Sequence, residues 1–111
     1  MTPFLVACEN GFIEIVKILL NDIRIDLNKS KLYGETPLYI ACQNGNVELV
    51  KLLIKDQRID VNLGDQGGFT PFFIACERGH LDIVKLLLNH ENVDVKKASN
   101  TGSSPFMIAC G

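Results

Sequence analysis

Thr36-Pro37-Leu38-Tyr39-Ile40-Ala41-Cys42-Gln43-Asn44-Gly45-Asn46-Val47-Glu48-Leu49-Val50-Lys51-Leu52-Leu53 decides how this chain folds, because the pattern occurs more than once. Thr2-Pro3 and Thr70-Pro71 open it again, and Ser104-Pro105 opens a fourth copy that stops at Gly111. The offset is 34 residues each time, with cysteines at 8, 42, 76 and 110 and glycines at 11, 45 and 79. Several markers kept in step define an internal repeat, which sets the architecture before any local reading.

Within one unit the residues specify two helices. Thr36 is placed to cap the first, its hydroxyl accepting from an otherwise unpaired N–H. Pro37 suits the first helical position, where a missing N–H costs nothing. Leu38, Ala41 and Cys42 share a face, and Gly45 ends the helix in a left-handed conformation. Asn44-Gly45 is also a hairpin signal, but its flanks have helical spacing rather than alternation. Asn46 opens the second helix, with Glu48 in the first turn, where the helix dipole favours negative charge. Val47, Val50, Leu53 and Ile54 line one face of it, and Leu49 and Leu52 widen that face. A helix this apolar must be covered on more than one side, which neighbouring copies can do. Ile59 and Val61 then alternate with polar residues, predicting a short extended segment. Gly64, Gly67 and Gly68 supply turn chemistry before the next Thr-Pro.

These residues resemble the ankyrin repeat family. The resemblance rests on Thr36-Pro37-Leu38-Tyr39-Ile40-Ala41-Cys42, on Gly79-His80-Leu81-Asp82-Ile83-Val84-Lys85-Leu86-Leu87-Leu88, and on Asp60-Val61-Asn62, and it covers essentially the whole chain. It implies an all-α solenoid of stacked helix-turn-helix units joined by extended, hairpin-like loops. There are three departures. Leu5, Tyr39, Phe73 and Met107 stand where the family has His, so its bond to the Thr hydroxyl is lost; we expect these side chains to fill the gap between first helices. The period is 34 against a family norm of about 33, the extra residue falling near Asp22, Asp56 and His90. The family's loop Asp survives as Asp65, with Lys31 and Ser99 at the matching places.

The units read as 2–35, 36–69 and 70–103, with a partial unit at 104–111, all in one domain. Both ends cut through a unit, so a piece of a longer array is expected, with the outer face of the first unit open. Eleven Lys and Arg against thirteen Asp and Glu give a net charge of -2, which does not point to nucleic acid or an anionic membrane. The paired lysines Lys29 and Lys31, and Lys96 and Lys97, read as solvated loops. No apolar run approaches the roughly 20 residues that cross a bilayer, and the first residues lack the pattern of a signal peptide. All four cysteines occupy one repeat position, a stacking step of roughly 8–10 Å apart. That is too far for a disulfide, and no pair has zinc-ligand spacing. Buried, reduced thiols and a cytoplasmic or nuclear location are expected.

No catalytic set is visible, and no cofactor or metal is expected. His80 reads as a helix-start residue and His90 as a solvated loop residue. Glu14, Glu48 and Asp82 serve their helix dipoles. The expected function is recognition of a partner protein through loop tips and the concave first-helix face. The family resemblance places contacts at Leu32, Tyr33 and Glu35, at Gln66 and Phe69, at Asn100 and Thr101, and on the first helices at Gln43, Asn44, Glu77 and Arg78. Tyr33, Phe69 and Arg78 stand out, since aromatics and Arg anchor interfaces. For Phe69 and Tyr33, packing against the neighbouring loop weighs equally with binding, and for Arg78 a solvated charge weighs slightly above contact. The alternatives are an assembly segment, self-associating end to end through its open faces, and a regulatory array attached to an enzyme.

Overall fold

A computed structural model describes residues 2–97, 99, 100 and 102. Six helices follow in order: α1 Pro3–Glu9, α2 Ile13–Leu20, α3 Pro37–Asn44, α4 Val47–Ile54, α5 Pro71–Glu77 and α6 Leu81–Leu88. Successive helix pairs start 34 residues apart. Thr2, Thr36 and Thr70 each cap a first helix, accepting from the N–H of Leu5, Tyr39 and Phe73 at 3.1 Å. Pro fills the next position each time. Asn46 caps α4 by accepting from the Leu49 N–H at 3.1 Å.

Gly45 closes α3 with φ +73°, a backbone that only glycine adopts without strain. A side chain there would also collide with the His80 ring, 2.8 Å from where a Cβ would lie. The first two turns thus fold a helix pair and seat a residue of the following pair, Asn46 against Gly11 and His80 against Gly45.

First helices pack on first helices and second on second, α1 and α2 to α5 and α6 in sequence, the first helices more closely. That asymmetry curves the stack toward its first helices. The core is continuous across all three pairs, from Phe4 and Cys8 through Leu38, Leu49 and Leu53 to Phe72, Ile83 and Leu87. Leu5, Tyr39 and Phe73 are buried, as their expected gap-filling role requires. Leu49 is fully buried and lies at the centre of the covered face of α4, with Val47, Leu52 and Ile54 at its margins.

Repetition makes burial diagnostic. Ile15 is 47% exposed, whereas its copies Leu49 and Ile83 are 0% exposed. Val6 is 39% exposed against 3% for Ile40 and 4% for Ile74. What differs is a neighbour: the second and third pairs have one on that side, and the first has none among the described residues. Stacking, not the intrinsic shape of a pair, buries these positions.

Two expectations about the connections are corrected. The segment around Ile59 and Val61 is not extended, and no strand occurs among the described residues. Ile59 donates back to the Asp56 carbonyl at 3.1 Å and Leu63 to the Asp60 carbonyl at 3.3 Å, forming two successive turns. Burial still alternates, with Ile59 and Val61 inside. The aspartates cause the turns: Asp56 Oδ1 accepts from the Arg58 N–H at 3.0 Å and Asp60 Oδ1 from the Asn62 N–H at 3.0 Å. Such side-chain bonds offer the backbone an alternative to a ladder. Asp22 and His90 make the matching turns in the first and third repeats, accepting from the N–H of Arg24 at 2.9 Å and of Asn92 at 3.2 Å.

The second correction is His90, which is half-buried rather than solvated. Its Nδ1 accepts from the Asn92 N–H at 3.2 Å. The proton therefore sits on Nε2, which donates to the Ile54 carbonyl at 3.1 Å. Beyond these turns, the loops do close as hairpin-like tips. Lys31 N–H donates to the Glu35 carbonyl and Asp65 N–H to the Phe69 carbonyl, each at 2.9 Å. The partial unit expected at 104–111 lies outside the described residues.

Candidate functional site

The tips stack on one another beside the first helices. Gln66 N–H donates to the Tyr33 carbonyl at 2.7 Å, and Asn100 N–H to the Gly67 carbonyl at 2.9 Å. Gly34 permits this approach, because a Cβ there would lie 2.7 Å from the Gln66 nitrogen. Asp65, the one retained loop aspartate, holds its own tip by accepting from the N–H of Gly67 at 2.9 Å and of Phe69 at 3.0 Å.

The tips are tied to the first helices by charge. Lys31, which stands at the register of Asp65, reaches the Glu9 carboxylate at 2.9 Å. That bond raises the Lys31 pKa, with Glu35 adding to it. Tyr39 lies one repeat on. Burial pushes its phenol well above the usual range, and the carboxylates of Asp65, Glu35 and Glu77 push the same way. The Oε1 of Glu35 is buried with no hydrogen-bond partner among the described residues. The surface between tips and first helices is therefore ringed by acids, with Lys31 bridging to one of them. Sequence reading did not single out Glu9, Lys31 or Tyr39 as a connected group. The available signal was that residues 9 and 31 of the first repeat carry opposite charges.

Leu32 and Tyr33 stand 88% and 63% exposed at the first tip. Gln66 and Asn100 are exposed at the next two, and Asn100 Nδ2 donates to the Gln66 carbonyl at 3.1 Å. Asn44, Glu77 and Arg78 are exposed at the ends of their first helices, and Gln43 is half-buried. Phe69 is half-buried, its ring 4.6 Å from that of Phe73 and against Gly67. Thr101 lies outside the described residues.

The remaining titratable groups serve the stack. His80 is the N-cap residue of α6 but makes no side-chain cap bond. Its Nε2 instead pairs with the Gln43 carbonyl at 3.1 Å, across the boundary between repeats. Cys8, Cys42 and Cys76 are free thiols. Burial pushes Cys8 up to about 12 and Cys42 higher. Cys76 departs from the expected burial and is half-exposed, on α5, the last first helix among the described residues.

Stacked pairs, shared core and cross-repeat hydrogen bonds define a helical repeat solenoid. A family model for ankyrin repeats in three copies matches residues 1–65 and 57–111. The chain belongs to the ankyrin repeat family, whose repeats are generally protein–protein interaction modules. No curated protein matches the chain. No helix among the described residues is long and apolar enough to cross a membrane.

Proposed function

We propose that this chain binds a partner protein with the surface formed by its tips and first helices, and carries out no chemistry itself. The observation that carries the reading is the exposure of Leu32 and Tyr33. Two large side chains stand in water on a tip whose backbone is fixed by the next repeat. Their burial would contribute to binding, and the tip is already ordered, so docking costs little entropy. Gln66 and Asn44 on the second repeat, and Asn100, Glu77 and Arg78 on the third, continue this surface with exposed polar groups. Half-buried Glu35 and Gln43 extend this polar surface, and Thr101 is assigned to it by its repeat register alone. Phe69 contributes by shaping the second tip from within. Free thiols support an intracellular site of action, in the cytoplasm or nucleus, and the array is proposed to be a segment of a longer one.

The test compares wild type with a Leu32→Ser, Tyr33→Ala, Arg78→Ala variant in affinity capture from cell extract, followed by crosslinking from a photoreactive group at Tyr33. All three side chains are exposed, so the fold should persist, as circular dichroism would verify. Loss of a specifically crosslinked protein in the variant supports the reading. Capture of the same proteins with equal recovery places binding elsewhere.

A further inference from the structure

The two boundaries between the three repeats are not filled alike. At the first, the Arg58 guanidinium crosses over and donates to two carbonyls of the preceding repeat, from Nη2 to Leu20 and from Nη1 to Asp22, the latter at 3.2 Å. Its own repeat steers it, because Nε and Nη2 also donate to the Asp56 carboxylate at 3.0 and 2.7 Å. At the second boundary, 34 residues on, His90 stands at the register of Asp56 and Asn92 at that of Arg58. His90 Nε2 serves one carbonyl, that of Ile54, at 3.1 Å. The second carbonyl is left over. A carbonyl can accept twice, and the Asp22 carbonyl does so, from the Ile25 N–H at 3.4 Å and from Arg58. Its copy, the Asp56 carbonyl, accepts from the Ile59 N–H at 3.1 Å and has no side-chain donor among the described residues.

A cavity of about 140 Å³ lies at this second boundary, lined by Ile54, Asp56, Asp60, Asn62, His90 and Asn92. It has room for a planar head group, well above the roughly 30 Å³ that one water takes up. Buried Ile59 and Val61 give it an apolar wall. The Asp60 carboxylate is exposed there and forms no ion pair among the described residues. No Lys or Arg lines the cavity among the described residues. Lys97 donates to the Asn62 carbonyl at 3.1 Å without lining it. His90 Nδ1 is engaged by the Asn92 N–H, which leaves the ring uncharged.

We propose that this notch binds a guanidinium group, carried by an arginine side chain of another protein. One N–H of the fork donates to the Asp56 carbonyl, as Arg58 Nη1 does to Asp22. The remaining N–H groups have the Asp60 carboxylate and the Asn92 amide oxygen in the same cavity. The molecule itself shows that these registers accept the group, since Arg58 fills them one boundary earlier. A guanidinium is planar and weakly hydrated, so a cavity with an apolar wall suits it better than a compact, strongly hydrated ammonium. The volume holds the head group and leaves the remainder of the residue outside, which points to an arginine within a chain rather than the free amino acid.

The test is titration of the full chain with N-acetyl-arginine amide, followed by amide NMR. The Ile59, His90 and Asn92 amides should shift and saturate, with binding about tenfold stronger than that of N-acetyl-lysine amide. Asn92→Arg should abolish the response by filling the notch from within. Arg58→Asn should open the equivalent notch at the first boundary and add saturable shifts at the Ile25 and Asp56 amides. No saturable shift in the original chain, equal binding of the lysine derivative, or an unaltered response in Asn92→Arg overturns the proposal. So does tighter binding of free arginine than of the blocked form, which would make the ligand a small molecule. The lining shares no residue with the tip surface, so failure here is separable from failure of the binding reading.

Discussion

Arg58 extends its guanidinium across the boundary between the first two repeats and donates to the Leu20 carbonyl, 38 residues back in sequence. Leu20 is the last residue of α2, and the final carbonyls of a helix have no partner within it. One repeat on, Ile54 is the equivalent residue, and His90 Nε2 supplies its bond. Two different side chains from two different registers satisfy the same need. The ends of α2 and α4 are therefore completed by the neighbouring repeat.

This arrangement has an acid dependence. The Arg24 side chain, hydrogen-bonded to Asp22, holds that carboxyl down at about 2, and Arg58 lowers Asp56 in the same way. Their folded values lie below the unfolded value of about 3.9. The stabilisation is therefore complete above roughly pH 4 and is lost as pH falls toward the folded values. Urea midpoints should drop between about pH 4 and pH 2. Asp22→Asn with Asp56→Asn should flatten that drop, and an equal slope in the double variant would contradict the assignment.

Asn28 and Asn62 each donate and accept across a boundary. Asn62→Ala should destabilise the chain by about 1 kcal/mol, after allowance for solvent at this edge. Asn28→Ala should cost about the same. Urea denaturation checks both, and the two effects should nearly add, since the two side chains bond different groups.

Thr70 is 1% exposed and its hydroxyl caps α5. Thr70→Val keeps the shape and removes the acceptor. Thermal unfolding should report a loss of about 1 kcal/mol. Thr70→Ser should retain most of the cap, and equal losses in the two variants would point to packing instead.

The cysteines differ by place in the stack. In a Cys110→Ser background, native-state reaction with a thiol reagent should modify Cys76 first. Cys8 and Cys42 should follow about tenfold or more slowly, because they require opening of the core and are held protonated by burial. Simultaneous reaction of all three would show that the core does not run through Cys8 and Cys42 as described.

Most of the stack was legible because packing recurs at one period. Thr36, Pro37, Gly45 and Asn46 have local roles that chemistry alone assigns, and the structure places each as expected. The turns after each second helix were not legible, because Ile59 and Val61 alternate as a strand does. Only the aspartate bonds, Asp56 to Arg58 and Asp60 to Asn62, bend the backbone into turns. Nor were the cross-repeat bonds visible: nothing local tells that His90 reaches Ile54 or that Lys31 reaches Glu9. At the proposed binding surface, the exposure of Leu32 and Tyr33 matched their register, whereas Phe69 turned inward against Phe73. Register specifies where a residue sits and leaves open which way an aromatic ring settles.

Each repeat completes the core of the next, and one pair of variants tests this most directly. Ile15 and Ile83 are the same residue type at the same register, exposed in the first repeat and fully buried in the third. By urea denaturation, Ile83→Ala should cost about 3 kcal/mol, and Ile15→Ala less than about 1 kcal/mol. Equal losses at the two positions would mean that burial does not come from the neighbouring repeat, and would contradict the account.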